Sequence, residues 1–119
     1  MPIVRIDMIR GKSAEYKRTY MECVHSALVE AFGIPEWDRF QRIVETDREN
    51  VELPEGKTED FAVIELTIFP GRTGETKERA VSLITDKLVN ELSVAPTDVF
   101  IIINEPPLEN WGLGGRMPG

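Results

Sequence analysis

The apolar positions of the chain first alternate, then recur every three to four residues, then alternate again, and this progression runs twice. Val4, Ile6 and Met8 alternate with Arg5 and Asp7, and Ile64, Leu66 and Ile68 alternate with Glu65 and Thr67. A period of two turns one face of an extended strand toward a core. Gly11 and Gly71 then predict turns, and Ser13 and Thr73 suit helix N-caps because their hydroxyls accept the backbone N–H groups left open there. From these points the period becomes 3.6. Tyr16, Tyr20, Val24, Ala27, Leu28 and Ala31 form one helical stripe, and Val81, Ile84, Leu88 and Leu92 form another. Gly33 and Pro35 stop the first helix and Pro96 follows the second, after which Phe40 to Glu45 and Val99 to Asn104 resume extended patterns.

The two progressions are copies of one another at an offset of 60 residues. Gly11/Gly71, Glu15/Glu75, Lys17/Lys77, Leu28/Leu88, Val29/Val89, Asp38/Asp98, Phe40/Phe100 and Glu45/Glu105 are identical pairs in a gapless register. A strand, a crossover helix and a parallel return strand make a right-handed βαβ unit. The expected fold class is therefore α+β: duplicated β-α-β units forming a four-stranded mixed sheet with two helices on one face. A single domain over residues 1–119 is expected, with pseudo-repeats 2–48 and 61–105 and a linker, 49–60, read as a solvated loop. The tail, 106–119, is too rich in Gly and Pro for a helix and reads as a turn or short hairpin carrying Trp111. Ile101, Ile102 and Ile103 ask for burial on both faces of the last strand, so the face without helices is expected to meet another subunit.

Composition narrows the chemistry. The 119 residues are 41% apolar and 29% charged, with no apolar run near the ~18 to 20 residues of a membrane span. The N-terminus lacks the pattern of a secretory signal, so a cytoplasmic location is expected. Cys23 is the one cysteine and His25 the one histidine, poor material for zinc, Fe–S or Ser-His-Asp chemistry. Both fall inside the first helix and read as packing residues. Fourteen Lys and Arg against 21 Asp and Glu give a net charge of −7, the wrong sign for a nucleic-acid partner.

Four places could carry chemistry. Removal of the initiator Met, usual before proline, would leave Pro2 with a free secondary amine at the head of a core strand. An α-amino group titrates near ~8, and burial or a neighbouring cation lowers that by disfavouring the ammonium form. Such an amine is a usable acid or base, though Met-Pro also begins many unrelated chains. Arg72, between a strand end and a helix start, is either an anion holder or a solvated surface residue; Lys12 is its repeat partner. Asp38 and Asp98 precede the two return strands, where an Asp commonly caps a turn. Trp111 either lines a pocket or anchors the tail.

Taken together, Met1-Pro2-Ile3, Gly11-Lys12-Ser13, Gly71-Arg72-Thr73 and Trp111-Gly112-Leu113-Gly114-Gly115 resemble the tautomerase superfamily across nearly the whole chain. That is the group of 4-oxalocrotonate tautomerase, malonate semialdehyde decarboxylase, cis-3-chloroacrylic acid dehalogenase and macrophage migration inhibitory factor. The doubled length and Asp38 in Pro35-Glu36-Trp37-Asp38-Arg39-Phe40 resemble the malonate semialdehyde decarboxylase-like branch most closely. The resemblance implies a homotrimer, no metal or organic cofactor, and a small carboxylate substrate. By position it makes Pro2 the catalytic acid or base, Arg72 the carboxylate-binding group, Asp38 the acidic residue of the decarboxylase and Trp111 a pocket wall. Departures are visible too. The decarboxylase's second arginine near the second turn is absent, since Pro70 and Thr73 flank Gly71 and Arg72. The further arginine of the short tautomerases falls at Phe40 or Phe100, and Arg39 is one residue off, hence on the other side of a strand. Lys12 replaces an arginine and binds an anion without forking it.

The function expected is a cofactor-independent keto-enol tautomerase using Pro2 as general base on a small 2-oxo or enol carboxylate. A malonate semialdehyde-type decarboxylase or hydratase with protonated Pro2 is the alternative, and a non-catalytic ligand-binding module is the alternative of another class.

Overall fold

The computed structural model describes residues 2–118. Strand β1 (Ile3–Ile9) leads into helix α1 (Ala14–Phe32) and returns as β2 (Gln41–Thr46); β3 (Ala62–Thr67), α2 (Gly74–Leu92) and β4 (Val99–Asn104) repeat the sequence. The four strands form one mixed sheet in the order β2-β1-β3-β4. Each repeat contributes a parallel pair, and β1 and β3 join the repeats antiparallel at the centre, Ile6 opposite Ile64. An approximate two-fold axis therefore passes between the two central strands.

Local chemistry explains the element ends. Ser13 and Thr73 each accept a backbone N–H three residues on, at 3.0 and 3.1 Å, and so open the two helices. Gly33 and Ser93 close them in the left-handed conformation, at φ 68° and 58°. Val4, Ile6, Ile64, Leu66 and Ile68 meet Tyr20, Val24, Leu28, Ile84 and Leu88 in a core that excludes water. The α2 stripe buries Ile84 and Leu88 as expected and differs at its start, where Ala80 is fully buried and Val81 only partly. Cys23 and His25 are buried within α1.

The opposite face of the sheet carries Arg5 and Asp7, joined by two hydrogen bonds of 3.1 Å, while Phe100 and Ile102 stay exposed on β4. The linker is less free than its composition suggests. Thr58 binds Asp98, Asp60 pairs with Lys12, and Arg48 reaches Glu59 at 3.3 Å, so the segment is fastened at three points. In the tail, Leu113 and Arg116 exchange backbone hydrogen bonds of 2.7 and 3.1 Å around Gly114-Gly115, a tight hairpin, preceded by a 3-10 turn at Leu108–Asn110. No helix among the described residues is long and apolar enough to cross a membrane.

Candidate active site

Register alone brings the first two candidates together. Because β1 and β2 run parallel with Val4 opposite Gln41, and the Val4 N–H donates to the Phe40 carbonyl at 3.1 Å, the chain before Phe40 lies beside the chain before Val4. Pro2 and Asp38 consequently wall one narrow hollow together with His25 and Ile34. Pro2 is buried and Asp38 half-buried. The turn that carries Asp38 is pinned from two sides. The Asp38 N–H donates to the Pro35 carbonyl at 3.0 Å, and His25 Nε2–H donates to the Glu36 carbonyl at 2.9 Å. His25 thus does more than fill space, although no sequence pattern separates it from an ordinary core histidine. Arg39 also lines the hollow, but its guanidinium bonds Glu22 at 2.7 Å. That hydrogen bond holds the Glu22 carboxyl below its ordinary range. A wider groove along the outer side of α1, lined by Arg18 and Met21, shares Arg39 and Gln41 with the hollow.

The antiparallel partner supplies the cation. Ile3 lies opposite Thr67, so the turn after β3 falls at the Pro2 end of the sheet. Gly71 at φ 119° allows the chain to reverse there, and Arg72 emerges half-buried, its guanidinium carbon 4.2 Å from the centroid of the Phe32 ring. Arg72 enters no ion pair among the described residues. Trp111 buttresses the same turn from the side of the sheet without helices: its ring stands edge-on to Phe69 at 4.6 Å, and its Nε1–H donates to the Pro106 carbonyl at 3.0 Å. With Ile3, Leu113, Arg116 and Met117, Trp111 and Phe69 line a mostly apolar groove beside the start of β1. Phe32 and Phe69 are the residues sequence reasoning missed, because Phe32 meets Arg72 across the two repeats and Phe69 meets Trp111 of the distant tail.

Lys12 does not join this group within a subunit. It follows the far end of β1, about 20 Å or more from Pro2 for a seven-residue strand at ~3.3 Å per residue. There it forms an ion pair with Asp60 and stands 4.9 Å above the Tyr16 ring. This far pole is the second repeat's counterpart of the first. Asp98, in the place of Asp38, is 1% exposed and accepts hydrogen bonds from Thr58. Ala62 stands where Pro2 does, and its nitrogen belongs to the peptide bond with Phe61. Two poles share one architecture, and among the described residues the turn cation is paired with an acid at the far pole and not at the one with Pro2.

Comparison with known proteins agrees with this fold. Family models described as "Tautomerase enzyme" match residues 38–114 and residues 2–60. The Probable tautomerase YrdN of Bacillus subtilis (strain 168) is 29% identical over 119 residues, covering 96% of this chain and 92% of that one. The crystal structure of FG41 malonate semialdehyde decarboxylase inhibited by 3-bromopropiolate superposes with a TM-score of 0.84 at 34% identity, covering 94% of this chain and 88% of that one. A fused 4-OT asymmetric trimer shares the fold, with a TM-score of 0.87 at 24% identity over 97% of this chain and 94% of that one. The chain is an enzyme of the tautomerase superfamily and belongs with its malonate semialdehyde decarboxylase-like members.

Proposed function

We propose that this enzyme is a cofactor-independent keto-enol tautomerase of small 2-oxo or enol carboxylates, with Pro2 as general base once Met1 is removed. The observation that carries the reading is the convergence of Pro2, Asp38 and an ion-pair-free Arg72 at one end of the sheet. Arg72 forks the substrate carboxylate and fixes the plane of the conjugated chain. The neutral Pro2 nitrogen takes the proton of the enol hydroxyl and returns it to the carbon next to the new carbonyl. The Trp111 and Phe69 side of the turn supplies an apolar wall that limits water near the reacting atoms. Lys12 could reach such a site only from a neighbouring subunit.

Asp38 beside Pro2, with the likeness to FG41 malonate semialdehyde decarboxylase, favours a second reading: decarboxylation or hydration of a 3-oxo acid. In that reaction Pro2 is protonated and its N–H stabilises the charge developing on the carbonyl oxygen, while Asp38 orients the carboxylate or its proton. A homotrimer built on the face that bears Phe100 and Ile102 accompanies either reading, supported by the likeness to a fused 4-OT trimer.

Turnover of phenylenolpyruvate and of malonate semialdehyde by the parent and by Pro2→Ala, together with the Pro2 amine titrated by NMR, tests the proposal. Loss of phenylenolpyruvate turnover in Pro2→Ala, with an amine neutral at pH 7, supports tautomerisation. A protonated amine with turnover confined to malonate semialdehyde favours the decarboxylase reading. Retention of Met1 in the intact mass, or full activity in Pro2→Ala, overturns both.

A further inference from the structure

Of the two cations that the repeat places at strand-to-helix turns, Lys12 is matched by Asp60 and by the Tyr16 ring of its own repeat, whereas Arg72 is matched by a ring from the other repeat and by no acid among the described residues. Phe32 closes α1 just before the left-handed Gly33, so its ring is presented at the carbonyl end of the helix, where the helix dipole also favours a cation. The equivalent residue of the second repeat is Leu92, which has no π face to offer Lys12. An aromatic platform for the turn cation thus comes from the partner repeat's helix only at the pole that carries Pro2.

We infer that Phe32 is a positioning residue for substrate recognition, stacking on one face of the Arg72 guanidinium so that its N–H edges are set for a flat, conjugated carboxylate. The inference rests on the reading of Arg72 as the carboxylate holder. A guanidinium directs its N–H bonds in its own plane, so a ring on its face occupies none of the donors a carboxylate needs. The stack also restricts Arg72 before substrate arrives, and the ordering lost on binding falls accordingly. A lysine at position 72 would keep the charge but lose the plane that the platform acts on.

The test titrates benzoate, a non-reacting planar carboxylate, into the parent, Phe32→Leu, Phe32→Tyr and Arg72→Ala, following the Arg72 Nε–H signal by NMR. KM and kcat for phenylenolpyruvate are measured alongside. In Phe32→Leu the Nε–H signal should lose its ring-current displacement. The benzoate Kd and KM should rise about three- to tenfold, the range a partly desolvated cation–π contact spans, with kcat held within about twofold. Phe32→Tyr should restore all three. Phe32 also packs against the core. Phe32→Met, which keeps most of the volume without the ring, gives the same comparison if Phe32→Leu does not fold. An unmoved Arg72 signal, or benzoate binding that falls in Arg72→Ala but not in Phe32→Leu, overturns this inference alone. Equal binding by the parent and Arg72→Ala overturns the reading of Arg72 and this inference with it.

Discussion

Thr58 donates to both carboxylate oxygens of Asp98, through its backbone N–H to one at 2.9 Å and through its hydroxyl to the other at 2.6 Å. The pair fastens the linker between the repeats to the start of β4 and gives Asp98 a structural occupation. Asp98→Ala should therefore lower stability by about 1–3 kcal/mol, the usual consequence of stranding buried hydrogen-bonding groups, in urea unfolding. Turnover per folded molecule should stay within about threefold. Asp38→Asn should do the opposite, lowering turnover more than stability. An Asp98→Ala enzyme that is dead yet as stable as the parent would contradict the division of labour.

Gly33 and Ser93 cap the two helices at equivalent positions, and only one of them suits its backbone. Both sit at positive φ and donate N–H groups to the Val29 and Val89 carbonyls at 2.9 and 3.0 Å. A side chain in the left-handed region is disfavoured by about 1 kcal/mol, and a Cβ built on Gly33 would touch nothing within 4 Å, so conformation alone decides the outcome. Ser93→Gly should raise stability by about 0.5–1 kcal/mol and Gly33→Ala should lower it by about 1 kcal/mol in chemical unfolding.

The two tyrosines should resist alkaline titration. Burial pushes the Tyr16 phenol up to about 12, with Asp60 and Asp98 adding to the shift, and burial raises Tyr20 further. A raised phenol favours the folded state as long as it keeps its proton. The stabilising effect is thus complete below the ordinary tyrosine value of ~10 and is lost as pH climbs through about 12. Phenolate absorbance followed against pH should show no step near 10, and its rise should accompany loss of helical circular dichroism. A full two-tyrosine step at ordinary pH with the fold intact would refute this.

Cys23 should be slow toward thiol reagents. It is 5% exposed, and burial, with Glu91 nearby, pushes its thiol up, so little thiolate is offered at neutral pH. Labelling with a disulfide reagent should run at the rate of opening in the folded enzyme and finish rapidly in urea.

Much of the fold is legible in the sequence because apolar spacing and capping residues are local signals that the duplication states twice. The identities Lys17/Lys77 and Glu45/Glu105 have a direct explanation in space: Lys17 bonds Glu45 on β2 at 3.3 Å and Lys77 bonds Glu105, just past β4, at 2.8 Å, each tying a helix to the end of its own repeat. Contacts between the repeats leave no such trace. Nothing near Phe32 in sequence points to Arg72, and nothing in the charged segment around Glu55 shows that Asp60 will take up Lys12 or that Thr58 will hold Asp98. These depend on the antiparallel union of β1 and β3, which a periodicity of two or 3.6 does not encode.

Ala62 follows a peptide bond at the place where Pro2 begins its strand. On the proposed reading, in which the Pro2 amine moves the proton, that peptide nitrogen gives the second repeat no matching group, and each copy of the chain brings one proton-transfer centre rather than two. The far pole, where Lys12 of the first repeat holds Asp60 and Asp98 of the second is held by Thr58, then serves as a brace for the scaffold.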